Sequence, residues 1–503
     1  MKQTANLAQL IAETCPGGFY VGGCVRDSLL GRASSDIDIA LERARVREAA
    51  RKLAARLHTT AFIIDEENTV WRISGKTPQC QIDIAALQGG ISADLARRDF
   101  TINALAYPVG SPCRITAAEP APGGVFLEKP EKRFLLDNFG GLQDIEKKRI
   151  AAVSKTVFEQ DPLRLLRAYR IAGELGFSVA PKTLRLIREH HALITGVSGE
   201  RVRDELVRLL ALPRVRARLA ALDRARLLTA LFPELEKQKG CAPQYYGGRG
   251  VFSHTLAVCD RLEHLQNNLE NIFPDFHGEL AAHAGGRGLL QLVALLHDIS
   301  KPETARVIGG RLRFFHHEAR GARRAESIMR ALRFSRAETN LASKIISEHL
   351  RPGNLSFNKV ITPRAVYRFF SELRDAAVPL LLVCWADYAS YIPLKTTLKI
   401  LPRTRELPAP AAPAALPGKG VKKTLRHMQV IHLMLSTFFK NPKAVLPEKL
   451  VSGHDLISGL GMPPGPAMGK LLEAIRLAQA EGKVTGRAQA LALAARLYKK
   501  TGY

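Results

Sequence analysis

A pair of glycines followed by a pair of aspartates constrains this chain more tightly than any other part of its sequence. In VGGCVRDSLLGRASSDIDIA (21–40), Gly22 and Gly23 close a β-like run, and Asp36 and Asp38 sit two apart on the next. Alternate residues of a strand point to one face, so both carboxylates share one side of a sheet. The glycines let backbone approach a phosphate where a bulky side chain would not. Arg26 follows within one turn, placed to meet triphosphate oxygens bidentately. Two hard oxygen ligands on one sheet face suit Mg²⁺, which binds a triphosphate and activates a hydroxyl. Either half alone is more often a turn or a solvated strand. The two halves in this order, a helix-length apart, are far more specific.

The surroundings agree with a sheet. FYVGG, DIDIAL, TAFIID, TVWRIS and CQIDIAAL read as short strands between residues 18 and 87, with an amphipathic helix over 44–57. Some strands follow one another directly and others are separated by a helix, so a mixed sheet with flanking helices is expected. From about residue 155 the periodicity becomes helical and stays so. DPLRLLRAYRIAGELG, ERVRDELVRLLALP and RVRARLAALDRARLLTALFPEL are punctuated by Gly176, Pro213 and Pro233. A second helical block runs from about Val251 to Leu398. The Pro/Ala-rich RELPAPAAPAALPGKGVKK that follows reads as an exposed linker, and helical patterns return over 424–503. The class is therefore α+β: a mixed-sheet head followed by a long all-α body. The boundaries expected are 1–150, 151–240, 241–402, a linker over 403–425, and 426–503.

Charge narrows the partners. Lys and Arg number 74 against 47 Asp and Glu, a formal net charge of +27 in 503 residues. Such an excess attracts a polyanion through phosphate contacts that ignore sequence. The first residues alternate polar and apolar as an amphipathic helix rather than a signal peptide, and no apolar run approaches the ~20 residues of a membrane span. The seven cysteines are scattered, odd in number and never spaced Cys-x-x-Cys, which fits reduced thiols in a cytoplasmic protein.

Three further segments extend the phosphate-handling pattern. DLARRDFTINALAY (94–107) sets Arg97, Arg98 and Asp99 before an apolar run read as helical and interrupted by Asn103; Asp99 is a capping candidate. DNFGGLQDIEKKRI (137–150) reads as a turn into a helix. In QDPLRLLRAYRIAGELGF (160–177), Asp161 is an N-cap candidate, Pro162 fits the first turn, and Arg164, Arg167 and Arg170 recur every three residues as a basic stripe. Asp161 and Arg164 pair an acceptor with donors at fixed spacing, which suits hydrogen bonding to a base edge.

These four segments, with a weaker element at SGERVRDELVRLL (198–210), resemble the signature motifs of the class II tRNA nucleotidyltransferase and poly(A) polymerase family. The resemblance covers about residues 15–215. It implies Mg²⁺ on Asp36 and Asp38 as the catalytic carboxylates, with Asp83 of QIDIA as a supporting one. Gly23, Arg26 and Arg98 would hold the incoming nucleotide's phosphates and sugar. Asp161 and Arg164 would read the base edge, with Arg167 and Arg170 completing the nucleotide contacts. The substrates implied are CTP, ATP and the 3′ end of tRNA or another RNA. Gln160 and Ala151 depart from the family pattern, at positions that would tune nucleotide choice. A poly(A) polymerase is the nearest alternative.

The second helical block carries His254, His297-Asp298 after an apolar run, and Asp387, with His317 and His349 between. Imidazoles with carboxylates suit a divalent transition metal better than Mg²⁺. The block resembles an HD-type metal-dependent phosphohydrolase domain over about 251–387, with His254, His297, Asp298 and Asp387 as the implied ligands of a second divalent ion. A phosphohydrolase whose head merely binds RNA is a more distant alternative, and the intact Asp36 and Asp38 argue against it. SGHDLISGLGMPPGPAMGKLLEAI (452–475) resembles the tail of bacterial members, where its proline turn would help hold RNA.

Overall fold

The computed structural model describes residues 7–74, 80–117, 124–128, 130–246, 248–358, 360–406 and 419–501. It divides into two compact units. One comprises the residues up to Val197 with Ala225–Ala230; the other comprises Ser198–Arg224 with the residues from Leu231 onward.

The first unit is built on a six-stranded sheet: β1 (Phe19–Val21), β2 (Asp36–Leu41), β3 (Thr60–Asp65), β4 (Val70–Ser74), β5 (Gln81–Ala86) and β6 (Ala106–Pro108). The strands lie in the order β3-β4-β5-β2-β1-β6. Only β2 and β5 run parallel, and the sheet is mixed as expected. Alternation sorts β2 between two environments. Ile37, Ile39 and Leu41 join the helices Leu7–Thr14 and Arg43–Arg56 in the main core, while Ala40 packs on the opposite face with Val21, Leu95 and Ala104. Asp36 and Asp38 share that opposite face by the same period.

Five of the six strands are those read from sequence. The sixth is a correction, because the apolar run after Asp99 is not helical. Thr101–Asn103 forms one 3₁₀ turn, and Ala106–Pro108 then pairs with β1. Pairing with the free edge of β1 outweighs the run's helical spacing, as tertiary context often does.

The helix Arg164–Leu175 closes at Gly176, whose φ of 69° takes the left-handed C-terminal position that favours glycine. It starts at Arg164 rather than Pro162. The Asp161 carboxylate instead accepts the Leu163 backbone N–H in the turn before it, at 3.2 Å.

Among the described residues the second unit is helical apart from one hairpin, Ala305–Ile308 with Arg311–Phe314, turned by Gly309 and Gly310 at positive φ. Its centre is the helix Ala377–Ser390, in which thirteen residues from Ala377 to Ala389 are buried. A helix apolar on all sides belongs inside a bundle. The helices Gly250–Asn267, Arg287–Leu296 and Arg336–Glu348 pack on it, and His317–Ala331 packs on Arg336–Glu348.

Residues 407–418 of the expected linker lie outside the described residues. Its basic end does not behave as a linker, because Lys419–Lys440 is one helix. Leu425, Met428, Ile431 and Leu435 form its buried stripe. The stripe lies against the central helix, where the Tyr388 ring stacks on His427 at 3.9 Å. The helices Gly453–Leu460, Pro466–Ala480 and Arg487–Thr501 then share a small core of their own.

Candidate active sites in the head and in the helical block

In the head, the register of the parallel pair sets Asp38 directly beside Asp83 and Asp36 beside Gln81. Three carboxylates therefore share one sheet face across β2 and β5. The Asp83 carboxylate accepts from Arg72 on β4 through Nε at 2.9 Å and Nη2 at 2.8 Å, and Asp36 accepts from Ser35 Oγ at 2.8 Å. Burial pushes the Asp38 carboxyl up to about 6, Arg98 pulls it back, and Asp83 and Asp36 add to the rise. A carboxyl that resists ionisation beside two others marks negative charge the protein leaves for a cation to balance. Hard oxygen donors on one face fit Mg²⁺.

Arg98 closes this face from the other side. A Cβ on Gly22 would lie 2.6 Å from Arg98 Nη1 and 3.6 Å from Asp38 Oδ2, and Gly22 has a φ of 74°. Gly22 is thus required twice, for its backbone conformation and for the space Arg98 occupies. Gly23 begins the helix Gly23–Leu29, which carries Arg26. Arg26 donates bidentately to Asp27 and, through Nη1, to Asn103 Oδ1 at 2.7 Å.

From Arg26 a chain of contacts reaches the helix Arg164–Leu175. Asn103 Nδ2 donates to Asp99 Oδ1 at 2.9 Å, and Arg167 donates to Asp99 Oδ2 through Nη2 at 2.8 Å and Nε at 3.1 Å. Burial raises the Asp99 carboxyl, yet Arg167, Asn103 and the Phe100 N–H together hold it below the usual value. Arg164 is anchored too, donating to the Arg97 carbonyl at 2.7 Å and to Gln160 Oε1 at 3.3 Å. The stripe is therefore not a solvated face. Arg170 is 8% exposed and its guanidinium lies on the Glu174 carboxylate at 2.7 Å. The structure brings Asp36, Asp38, Asp83 and Arg98 together and ties Arg26 to Arg167, while Arg170 engages its own helix.

In the second unit, His254, His297, Asp298 and Asp387 converge with His317 and His349. His254 Nε2 lies 3.4 Å from Asp298 Oδ2 and 3.2 Å from Asp387 Oδ1, and His297 Nε2 lies 3.1 Å from Asp298 Oδ2. On the other oxygen, Asp298 Oδ1 lies 3.5 Å from His317 Nε2 and 3.8 Å from His349 Nε2. Two buried triads result, His254–His297–Asp387 and Asp298–His317–His349.

Backbone carbonyls fix the tautomers. Nδ1 of His297, His317 and His349 donates to the carbonyls of Ala294, Phe314 and Ile346 at 2.7, 2.6 and 2.7 Å. Ser390 Oγ donates to the Asp387 carbonyl at 2.7 Å, so its oxygen accepts from His254 Nδ1 at 3.1 Å. Each Nε2 thus turns a lone pair towards the carboxylates, the orientation a metal requires. Burial pushes His349 down to about 4 and lowers His317, which keeps both rings neutral. Burial opposes charge on Asp387, but the imidazoles of His254 and His297 that face it bring its carboxyl down to about 2. Buried Nε2 of His254 and His297, Asp298 Oδ1 and Asp387 Oδ1 make no hydrogen bond, while Asp298 Oδ2 meets the Lys301 ammonium at 2.5 Å. Converging buried acceptors, with the Lys301 ammonium balancing only one Asp298 oxygen, fit divalent cations.

Two kinds of residue escaped the sequence reading. Gly22 was indistinguishable from Gly23 before its φ was known. Asn103, the polar break in an apolar run, was the visible trace of the Arg26–Asp99 connection.

Comparison with known proteins identifies three regions of the chain. The head matches the poly A polymerase head domain over residues 18–151. A probable RNA-binding region of polymerase A matches 176–239, and an HD domain matches 251–392. The CC-adding tRNA nucleotidyltransferase of Geobacter sulfurreducens is 30% identical, covering 97% of this chain and 94% of that protein. The A-adding tRNA nucleotidyltransferase of Deinococcus radiodurans is 29% identical, with 97% and 96% covered. The fold resembles that of the Thermotoga maritima CCA-adding enzyme solved with tRNA, at a TM-score of 0.58, 19% identity and coverage of 98% and 95%. With a relative of this identity aligned over nearly its whole length, and with the head, RNA-binding and HD regions in order, the chain belongs to the tRNA nucleotidyltransferase and poly(A) polymerase family.

Proposed function

We propose that this protein extends the 3′ end of tRNA, building CCA or part of it from CTP and ATP. The observation that carries the reading is the carboxylate face of Asp36, Asp38 and Asp83, closed by Arg98 over Gly22. Bound Mg²⁺ would lower the pKa of the RNA 3′-hydroxyl and balance charge on the pyrophosphate leaving group. Arg98 and Arg26 would meet the triphosphate, and the backbone at Gly22 and Gly23 would let it approach. Asp161 and Arg164 would present acceptor and donors to the base edge, so that the protein rather than a template selects the nucleotide. The Asp99–Arg167 pair would hold that helix in register with the phosphate site.

The names of relatives aligned over nearly the whole chain specify tRNA, which favours this reading over a poly(A) polymerase. Soluble substrates and an unpaired cysteine set support a cytoplasmic location. Among the described residues no helix is long and apolar enough to cross a membrane.

The paired triads around Asp298 support a second activity, hydrolysis of a phosphate ester, for which His254, His297 and Asp387 and, beside them, Asp298, His317 and His349 would hold divalent transition ions that activate water. Water would supply the oxygen added to phosphorus, the P–O bond to the sugar would break, and the sugar would leave as its alcohol.

Transcripts ending before CCA, after C and after CC, incubated with Mg²⁺ and CTP, ATP or both, test the first reading. Addition stopping at CC, at CCA or after one A supports a tRNA-end enzyme and defines its type. Long A tracts on any RNA would make it a poly(A) polymerase, and no incorporation would refute the head assignment.

A further inference from the structure

Beside the imidazole–carboxylate cluster the second unit has a groove of about 320 Å³, lined by Ser300, Glu303, Arg320, Arg323, Arg324 and Ser327. It adjoins the cluster through two elements. Ser300 lies two residues beyond Asp298, and the helix His317–Ala331 begins with the ligand candidate His317. At 1.5 Å rise per residue, Arg320 lies about 4.5 Å and Arg324 about 10 Å along the axis from His317. At 100° per residue, Arg320, Arg323, Arg324 and Ser327 fall within roughly 100° of one another, on a face flanking His317. The next turn holds the helix against the cluster, since a Cβ on Gly321 would lie 3.5 Å from the His297 carbonyl.

The charge in this groove is unbalanced. Arg324 approaches Glu234 and Glu303 at 3.6 and 3.7 Å, and Glu303 also faces Lys237 at 3.9 Å. Arg320 and Arg323 are exposed and lie in no ion pair among the described residues. Guanidinium groups placed one turn apart on a wall, with serine hydroxyls between them, suit a row of phosphates rather than a single anion.

Resting on the hydrolytic reading of the cluster, we propose that this groove binds the phosphodiester backbone of a single RNA strand and delivers its phosphorylated end to the Asp298 centre. The substrate class is then an RNA end, and a free mononucleotide lacks the contacts the groove supplies.

The full-length protein with Mn²⁺ or Ni²⁺ is assayed on a short single-stranded RNA bearing a 3′-phosphate and on a nucleoside 3′-phosphate. It is compared with the R320A/R323A variant. Each phosphate contact contributes a slope of about 0.7 in log affinity against log salt for single strands, so two contacts contribute roughly 1.4. Between 50 and 200 mM salt, wild-type kcat/KM on RNA is expected to fall about sevenfold more than that of the variant. Mononucleotide hydrolysis should be the same in both. Equal loss on both substrates, or no loss on RNA, overturns the proposal. Hydrolysis of neither substrate by wild type defeats the hydrolytic reading itself. The groove is then judged by protection of Arg320 and Arg323 from phenylglyoxal, read by mass spectrometry. Protection by RNA alone supports an RNA site; protection by the mononucleotide as well, or by neither, overturns it.

Discussion

Replacing Gly22 by alanine tests the geometry of the head more sharply than removing a charged residue. Gly22 has φ 74° and ψ −128°, a region that L residues rarely occupy. Holding a side chain there costs about 1–3 kcal/mol. A domain of this size loses about 2–4 °C per kcal/mol, so the melting temperature of the first unit should fall by roughly 2–12 °C. A second effect is local. The new Cβ would lie 2.6 Å from Arg98 Nη1, and because the guanidinium is the flexible end it moves aside. Losing one charge-assisted contact to a triphosphate costs about 1.5–3 kcal/mol, roughly 10- to 100-fold in kcat/KM for CTP or ATP. The two effects separate in a double-mutant cycle. If displacement of Arg98 is the cause, Gly22→Ala with Arg98→Ala should be no less active than Arg98→Ala alone. Gly23→Ala is the internal contrast. Its Cβ would meet only Arg26 Nη2, at an ordinary 3.7 Å, and it begins a helix. Its melting temperature should hold or rise, since alanine favours helix over glycine by up to about 1 kcal/mol. Calorimetry and steady-state kinetics on the four variants decide the matter. A Gly22→Ala protein that melts and turns over like wild type would refute the reasoning.

Other outcomes follow from the same geometry. Asp36→Ala and Asp38→Ala should each abolish nucleotide addition and leave phosphate-ester hydrolysis unchanged; addition surviving both changes would remove these residues from catalysis. Metal analysis of the Asp36→Ala/Asp38→Ala protein loaded with Mn²⁺, in which the head site is disabled, should find two ions per chain, and adding His349→Ala should lose one while keeping the other. A single ion before that last change would defeat the reading of two occupied triads. Burial, with Arg405, pushes His432 down from 6.5 to about 4. The unfolded chain then takes up the proton first, so this stability is present above about pH 6.5 and is lost as pH falls towards 4. Thermal melts across that range should show the loss, His432→Phe should flatten it, and an unchanged slope would count against the buried neutral ring.

What sequence determined by itself is local. A period of two put Asp36 and Asp38 on one face, a period of 3.6 marked the helical body, and glycine after Leu175 stopped a helix where only a left-handed residue fits. These patterns follow from backbone geometry over a few residues, so they can be read without knowing the rest of the chain. The run after Asp99 shows the limit: its helical spacing was real, but an unpaired edge at β1 made a strand of it.

Tertiary structure alone decided which distant groups meet. Asp83 stands beside Asp38 because β2 and β5 are parallel in one register, a pairing no local period encodes. Asp99 became a hub because a helix beginning 65 residues later carries Arg167 onto it, and Asn103 passes that contact to Arg26. In the helical block the sequence offered six imidazole and carboxylate groups. The fold divided them into two triads by turning the two oxygens of Asp298 to opposite sides. Such convergence depends on how buried faces pack and where lone pairs point, and packing is a property of the whole core rather than of any one segment.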